Sequence, residues 1–172
     1  MNAPDRESRF LELVEAHRRI LYKVARAYGR SGADADDLAQ EMVVQLWRSF
    51  PRYDPAFKFS TWMYRIALNV AISWLRRERT QTRHLVADGE QVLLALRAPE
   101  PEAGASAEDL ARLYAAIARF EPLDRALLML YLDGVAQQEI GSVLGITTTN
   151  VATKIGRLKE RLRADFRAAG HL

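Results

Sequence analysis

Apolar residues recur three and four positions apart along most of the chain, which is the period of an amphipathic α-helix. The first such run, predicted as one helix, comprises Phe10, Leu13, Val14, His17, Ile20, Leu21 and Val24. No sustained alternation of apolar and polar residues, bounded by turn residues, indicates a strand. The pattern therefore predicts an all-α chain.

A second helix and a loop follow the first run. Acidic residues at positions 34–37 precede the next apolar series, and acids at a helix start complement the helix dipole. This helix is predicted to end near Phe50. Residues 51–59 contain two prolines and three aromatic residues, which predicts a rigid, structured loop.

A third helix is predicted to start at Ser60 or Thr61, since either can cap a helix, and to run through the basic segment RRER. Beyond it, residues 81–106 lose amphipathic spacing and contain PEPEAGAS, which is typical of a linker. Helical periodicity resumes downstream. We therefore predict two small helical domains, 1–80 and 107–172, joined by a flexible linker.

The second domain is predicted to contain helices at about 107–119, 123–132, 136–144 and 148–166. The last two form a helix-turn-helix from Val135 to Leu162, in which Gly145 can adopt the positive φ of a tight turn. The longer helix has a predicted buried stripe that comprises Val151, Ile155, Leu158, Leu162 and Phe166.

The opposite face of that helix is polar and basic. It comprises Thr148, Thr149, Asn150, Thr153, Lys154 and Arg157. These side chains hydrogen-bond base edges and phosphates, and they lie at the end of the helix that such motifs insert into the major groove. The pattern predicts DNA binding, and a helical hairpin with a solvated basic face is the alternative.

Composition narrows the possible functions. The chain has no cysteine, and its three histidines form no pair at helical ligand spacing, so we expect neither a metal nor another cofactor. The net charge is +3, with an acidic segment, 81–122, between two basic ones. No stretch approaches the apolar length of a membrane span, so we expect a cytoplasmic protein without membrane insertion.

Two longer segments resemble a known family. The string ADADDLAQEMVVQLWRSFPRYDPAFKFSTWMYRIALNVAISWLRRERT resembles the second conserved region of sigma-70-type factors, and LDRALLMLYLDGVAQQEIGSVLGITTTNVATKIGRLKERLR resembles the fourth. They occur in the family's order, without room for the domain that separates them in larger sigma factors. The arrangement resembles extracytoplasmic-function (ECF) sigma factors and implies a non-enzymatic RNA polymerase subunit that directs promoter-specific initiation.

The resemblance implies two sets of residues in the first domain. Docking on the clamp helices of the polymerase largest subunit is expected from Asp37, Gln40, Glu41 and Gln45. Opening of the minus-10 element and capture of an extruded base are expected from Lys58, Phe59, Ser60, Arg65, Asn69, Arg76 and Arg77. Phe57, Trp62 and Tyr64 are further candidates for stacking, although helical spacing favours the core for Trp62.

The polar face of the second domain corresponds to the family's reader of the minus-35 element. Many relatives carry a Gly-Thr-Val-Lys-Ser-Arg type run where this chain has TNVATK, so Lys154 and Arg157 are its principal early cations and no promoter sequence is transferable. The resemblance also implies contact with the flap of the polymerase second-largest subunit, and an anti-sigma partner. Two alternatives are a stand-alone helix-turn-helix regulator and a polymerase-binding protein that does not open DNA.

Overall fold

A computed structural model describes residues 3–79, 104 and 106–170, and the chain divides into two compact units, Met1–Glu100 and Pro101–Leu172. Every regular element within the described residues is a helix, which confirms the all-α prediction. The predicted linker, 81–106, lies almost wholly outside the described residues.

Residues 3–79, the described part of the first unit, form four α-helices and a short 3-10 turn. They are α1 (Ala3–Ala16), α2 (Arg18–Tyr28), α3 (Gly32–Ser49), the 3-10 turn Phe50–Arg52 and α4 (Phe59–Arg79). Helices α2, α3 and α4 pack against one another around Leu21, Leu38, Met42, Leu46, Met63 and Leu68. Helix α1 contributes Phe10 and Val14, both fully buried, to the core.

The first apolar run forms two helices, so the prediction of one helix is wrong. The break is at His17, whose backbone N–H donates to the carbonyl of Val14, three residues back, at 3.2 Å. The His17 ring nitrogen Nδ1 lies 2.9 Å from the carbonyl oxygen of Leu13 and satisfies a group that the break leaves without a helical partner. Apolar spacing continues across the break, and therefore periodicity alone could not reveal it.

The starts of α3 and α4 differ slightly from expectation. Ser31 caps α3 by accepting a hydrogen bond from the backbone N–H of Asp34 at 3.1 Å. Gly29 precedes this cap, and a Cβ there would lie 2.8 Å from the backbone nitrogen of Ala35, so the close passage of α2 beside α3 requires glycine. Helix α4 begins at Phe59, within the aromatic segment predicted as loop.

The second unit contains α5 (Ala107–Ile117), α6 (Pro122–Leu132), α7 (Gln137–Leu144) and α8 (Thr148–Ala168). These bounds agree with the predicted ones to within two residues. The core comprises Ile117, Phe120, Leu127, Leu128, Leu130 and Ile140. Helix α8 packs on α5, α6 and α7, so the rest of the unit supports it.

A buried arginine stabilises the turn between α5 and α6. Arg125 is only 8% exposed, and its Nη2 donates to the carbonyl oxygens of Ala118 at 2.8 Å and Phe120 at 3.1 Å. Both carbonyls lie just past the end of α5, where backbone acceptors have no helical partner. Arg125 therefore links the first turn of α6 to the turn that precedes the helix.

Candidate nucleic-acid interface

The turn between α7 and α8 depends on two glycines. Gly145 has φ 70° and ψ 32°, which confirms its predicted positive φ, and its N–H donates to the carbonyl of Gly141. The N–H of Ile146 donates to the same carbonyl at 3.0 Å, which closes the α7 end in a Schellman-type arrangement. A Cβ on Gly141 would lie 2.7 Å from the carbonyl oxygen of Ile146. Sequence reasoning missed Gly141, because its requirement comes from close packing rather than from φ.

Helix α8 begins at a side-chain cap. Thr147 Oγ1 accepts a hydrogen bond from the backbone N–H of Asn150 at 3.2 Å, and the helix begins at the next residue, Thr148. Val151, Ile155 and Leu158 are buried, as the spacing predicted. Leu162 and Phe166 are only half-buried, so the stripe weakens towards the end of the helix.

The opposite face of α8 presents most of the predicted minus-35 residues to solvent. The exposed members are Thr148, Thr149, Asn150, Thr153 and Arg157. Thr153 Oγ1 donates to the carbonyl of Thr149 at 3.0 Å, which leaves the hydroxyl oxygen as an acceptor on the surface. Arg157 makes no hydrogen bond or ion pair with any residue that the structure describes.

Lys154 differs from its neighbours because it is already paired. Its Nζ lies 3.3 Å from Oδ1 of Asp124 on α6, and the two side chains are 35% and 26% exposed. Two cations farther along α8 also contact aromatic rings of the same unit. Lys159 Nζ lies 5.3 Å from the ring centroid of Tyr131, and Arg161 Cζ lies 4.7 Å from that of Phe120. Part of the basic character of α8 therefore serves packing.

In the first unit, six aromatic rings form a connected group that we call the aromatic cluster: Phe10, Trp47, Phe50, Tyr53, Phe59 and Trp62. Phe59 is 5% exposed, with its ring 5.3 Å from that of Tyr53, 5.2 Å from that of Trp62 and 5.3 Å from that of His17. In this conformation Phe59 packs in the core, as does Tyr64, which is also buried. Trp62 is half-buried within the cluster.

The loop before α4 has a defined conformation and carries one exposed ring. Tyr53 Oη donates to the carbonyl of Phe57 at 2.8 Å, and Asp54 Oδ1 accepts from the N–H of Ala56 at 2.9 Å. The N–H of Phe57 donates to the carbonyl of Asp54 at 3.1 Å. These bonds hold Phe57 at the loop tip with 68% of its surface exposed. Among the aromatic residues of this segment, Phe57 is the most exposed, since Tyr53 is half-buried and Phe59 is buried.

The outer face of α4 continues from this loop. Arg65, Asn69 and Arg76 are exposed and lie four and seven residues apart, so they share one helical face, and Lys58 is exposed just before the helix. Ser60 and Arg77 are half-buried. The predicted minus-10 residues therefore divide into an exposed basic and polar face, two half-buried side chains and the buried Phe59.

The predicted polymerase-docking residues lie on α3. Asp37 and Gln45 are exposed, whereas Gln40 and Glu41 are half-buried. Glu41 forms an ion pair with Arg77 of α4. Two residues predicted to face different partners, polymerase and DNA, thus contact each other.

Within residues 3–79 and 106–170, no group of histidine and acidic side chains is arranged to hold a metal ion. None of the described helices combines the length and apolar character needed to cross a membrane.

Each of the two units is matched by a protein-family model. The family model described as Sigma-70 region 2 matches residues 13–81, and the model described as Sigma-70, region 4 matches residues 110–162. The first match contains α2, α3, the loop before α4 and α4 itself. The second contains α6, the helix-turn-helix and most of α5.

Individual relatives match along nearly the whole chain. RNA polymerase sigma factor NccH of Alcaligenes xylosoxydans xylosoxydans is 31% identical over 160 residues, 90% of this chain and 85% of the relative. ECF RNA polymerase sigma factor SigW of Bacillus subtilis is 29% identical over 174 residues, 92% and 89% of the two chains. RNA polymerase sigma factor CnrH of Cupriavidus metallidurans is 30% identical over 162 residues, 90% and 85% of the two chains. A solved structure of CnrH with the cytosolic domain of CnrY is similar with a TM-score of 0.66 and 25% identity, and covers 94% of this chain and 90% of that one.

Proposed function

The chain belongs to the sigma-70 family of RNA polymerase sigma factors, in its ECF group, and from this premise we propose how its two units divide promoter recognition. It is a sigma factor for promoter-specific initiation, with core polymerase and promoter DNA as its partners. The observation that carries this assignment is the match of regions 2 and 4, in that order, together with 31% identity over 90% of the chain.

We propose that the functional domain within the first unit spans residues 1–80 and opens the minus-10 element. Base capture requires an aromatic surface, polar groups for the base and cations for the exposed backbone. Phe57 offers the aromatic surface at the loop tip, and Asn69 the polar contact. The phosphate contacts come from Lys58, Arg65 and Arg76. The half-buried Ser60 and Arg77 lie at the edge of this exposed face. Phe59 acts by holding the loop against the aromatic cluster.

We propose that the functional domain within the second unit spans residues 107–172 and binds duplex minus-35 DNA through α8. Helix-turn-helix proteins read base edges with the first turns of the second helix. In this chain those turns present Thr148, Thr149, Asn150, Thr153 and Arg157. Hydroxyl and amide groups can donate hydrogen bonds to the edges of several bases and accept hydrogen bonds from them. Arg157 and Lys154 would add the cationic contacts.

Both units would contact polymerase. Asp37 and Gln45 on the exposed part of α3, with Gln40 and Glu41 beside them, form a polar, acidic face suited to a basic helix of the largest-subunit clamp. We propose a further contact of the second unit with the flap of the second-largest subunit. The site of action would be the cytoplasm, and no bond chemistry is assigned to the chain.

A regulatory protein partner is the last element of the proposal. The relative CnrH has been solved in complex with the cytosolic domain of CnrY, and the structural match covers 94% of this chain and 90% of that one. By analogy, an anti-sigma factor would bind this chain and compete with polymerase for the same small helical units.

The test adds purified chain to core polymerase on a library of promoter fragments. Specific transcripts that require the chain are the expected result. Duplex binding by the chain alone, with no polymerase-dependent transcript, would instead indicate a stand-alone regulator. Occupancy of polymerase without transcript would indicate a binding protein that does not open DNA.

A further inference from the structure

The reading helix is linked to α6 by an ion pair whose acid has no part in the proposed DNA contacts. Lys154 Nζ and Asp124 Oδ1 are 3.3 Å apart, and neither side chain is more than about a third exposed. Asp124 lies in the first turn of α6, and Lys154 lies in the second turn of α8. A partly buried pair is less screened by salt than a fully exposed one.

Lys154 lies on the flank of α8 rather than on its outermost face. It follows the buried Val151 by three residues and precedes the buried Leu158 by four, so it is adjacent to the packed stripe. Thr153 and Arg157, in contrast, are on the exposed side. When a helix lies in the major groove, a cation on its flank faces the phosphate backbone rather than base edges.

We propose that Asp124 competes with DNA phosphate for Lys154 and thereby sets how strongly α8 binds minus-35 DNA. To contact phosphate, the ammonium must leave a carboxylate that then remains unpaired beside the negatively charged backbone. Because phosphate contacts carry no sequence information, this competition weakens binding to every duplex and leaves recognition to the base-facing residues. The inference rests on the proposed function, since it assigns a role within minus-35 binding.

The test uses holoenzyme, formed from core polymerase saturated with the full chain. Its affinity for a duplex promoter fragment is measured at salt concentrations from about 50 to 200 mM. Asp124→Asn removes the charge at constant size. We expect tighter binding at low salt, and a plot of log affinity against log salt that is steeper by a fraction of the roughly 0.9 that one full phosphate contact contributes. Asp124→Glu, which keeps a carboxylate, should retain the slope of the unaltered chain.

Glu108→Gln is the matched control. Glu108 also lies in the first turn of a helix of this unit and also forms an ion pair, with Arg112, so this variant has the same change in net charge and in helix-dipole interaction. It should leave the salt dependence unchanged. Lys154→Gln should give a shallower slope, and adding Asp124→Asn to it should have no further effect.

Four results would overturn the proposal: weaker binding by Asp124→Asn, an unchanged slope in that variant, an equal change in Glu108→Gln, or a gain that persists without Lys154. Should Asp124→Asn fail to fold, Asp124→Ser keeps a residue suited to a helix start and carries the same expectation. Failure of the proposed function is distinct, because then even the unaltered chain gives no specific transcript. Transcript with an unchanged slope in Asp124→Asn contradicts this inference alone.

Discussion

Helices α4 and α8 both have 21 residues, and each carries the predicted DNA-binding side chains of its unit, yet they use their side chains differently. On α8 the apolar residues Val151, Ile155 and Leu158 are buried, and most of the predicted DNA-binding residues on the opposite face are exposed. At the start of α4 the aromatic residues are shared between core and loop, and Phe59 packs inside while Phe57 points out. The same residue type is thus buried in the core at one position and exposed to solvent two residues away.

Each helix also pairs one of its predicted DNA-binding cations with an acid of its own unit. Arg77 of α4 contacts Glu41, and Lys154 of α8 contacts Asp124. A cation in such a pair reaches DNA only by exchanging its partner. The exposed Arg157, with no partner among the described residues, needs no exchange. Counting basic residues on a helix therefore overstates the charge available to DNA.

The largest expected effect separates the two phenylalanines. Phe59→Ala should lower the free energy of unfolding of the first unit by about 4 kcal/mol, since it removes a buried ring from the aromatic cluster. Phe57→Ala should change it by less than about 0.5 kcal/mol, because its ring is exposed. Denaturant unfolding followed by tryptophan fluorescence checks this, since all three tryptophans, Trp47, Trp62 and Trp74, lie in that unit.

The same two variants also differ in the DNA step. Phe57→Ala should fold normally and reduce permanganate reactivity of thymines in the minus-10 element, which reports strand opening. A normal level of opening in Phe57→Ala would place base stacking on another residue and break the contrast between the two positions.

The second effect concerns the helix-turn-helix. Gly141→Val should destabilise the second unit by about 3 kcal/mol, because its side chain would collide with the carbonyl of Ile146. Far-ultraviolet circular dichroism should show the loss, while the tryptophan transition stays unchanged. Gly156→Ala is the control: an added Cβ there meets nothing within 4 Å, so it should stabilise α8 by about 0.5 kcal/mol. Equal tolerance of the two substitutions would contradict the close approach at Gly141.

Sequence patterns predicted α8 better than the segment around α4, for a physical reason. Residues Val151, Ile155 and Leu158 differ sharply in polarity from Thr149 and Thr153, so periodicity alone separates the two faces. Aromatic residues suit a core, a loop and a base-stacking surface equally well. Only the ring contacts that the fold creates decide between Phe57 and Phe59.

Other features depend on contacts that no local pattern encodes. The break at His17 lies inside an uninterrupted apolar period, and the need for glycine at position 141 comes from a carbonyl five residues away. The pairs Glu41–Arg77 and Asp124–Lys154 join residues 36 and 30 positions apart. By contrast, capping and proline signals located the helices of the second unit to within two residues.

A smaller effect is expected at the buried arginine. Arg125→Met keeps the aliphatic stem but leaves the carbonyls of Ala118 and Phe120 without their donor, so the second unit should lose about 2 kcal/mol. Arg125→Lys should recover only part of this, because an ammonium lacks the planar fork of the guanidinium. Circular dichroism melting checks both variants, and a melting temperature unchanged in Arg125→Met would show that water replaces the donor at no cost.

The most direct test of the division between the two units compares Asn69→Ala and Arg157→Ala in holoenzyme on one promoter, with recruitment and strand opening recorded separately. Asn69→Ala should reduce opening roughly tenfold, as for loss of one hydrogen bond to a buried base, with recruitment nearly unchanged. Arg157→Ala should reduce recruitment by a similar factor while the fraction of bound complexes that open stays constant. Equal losses in both steps for both variants would contradict the account, because they would show that the two units do not divide duplex recognition from strand opening.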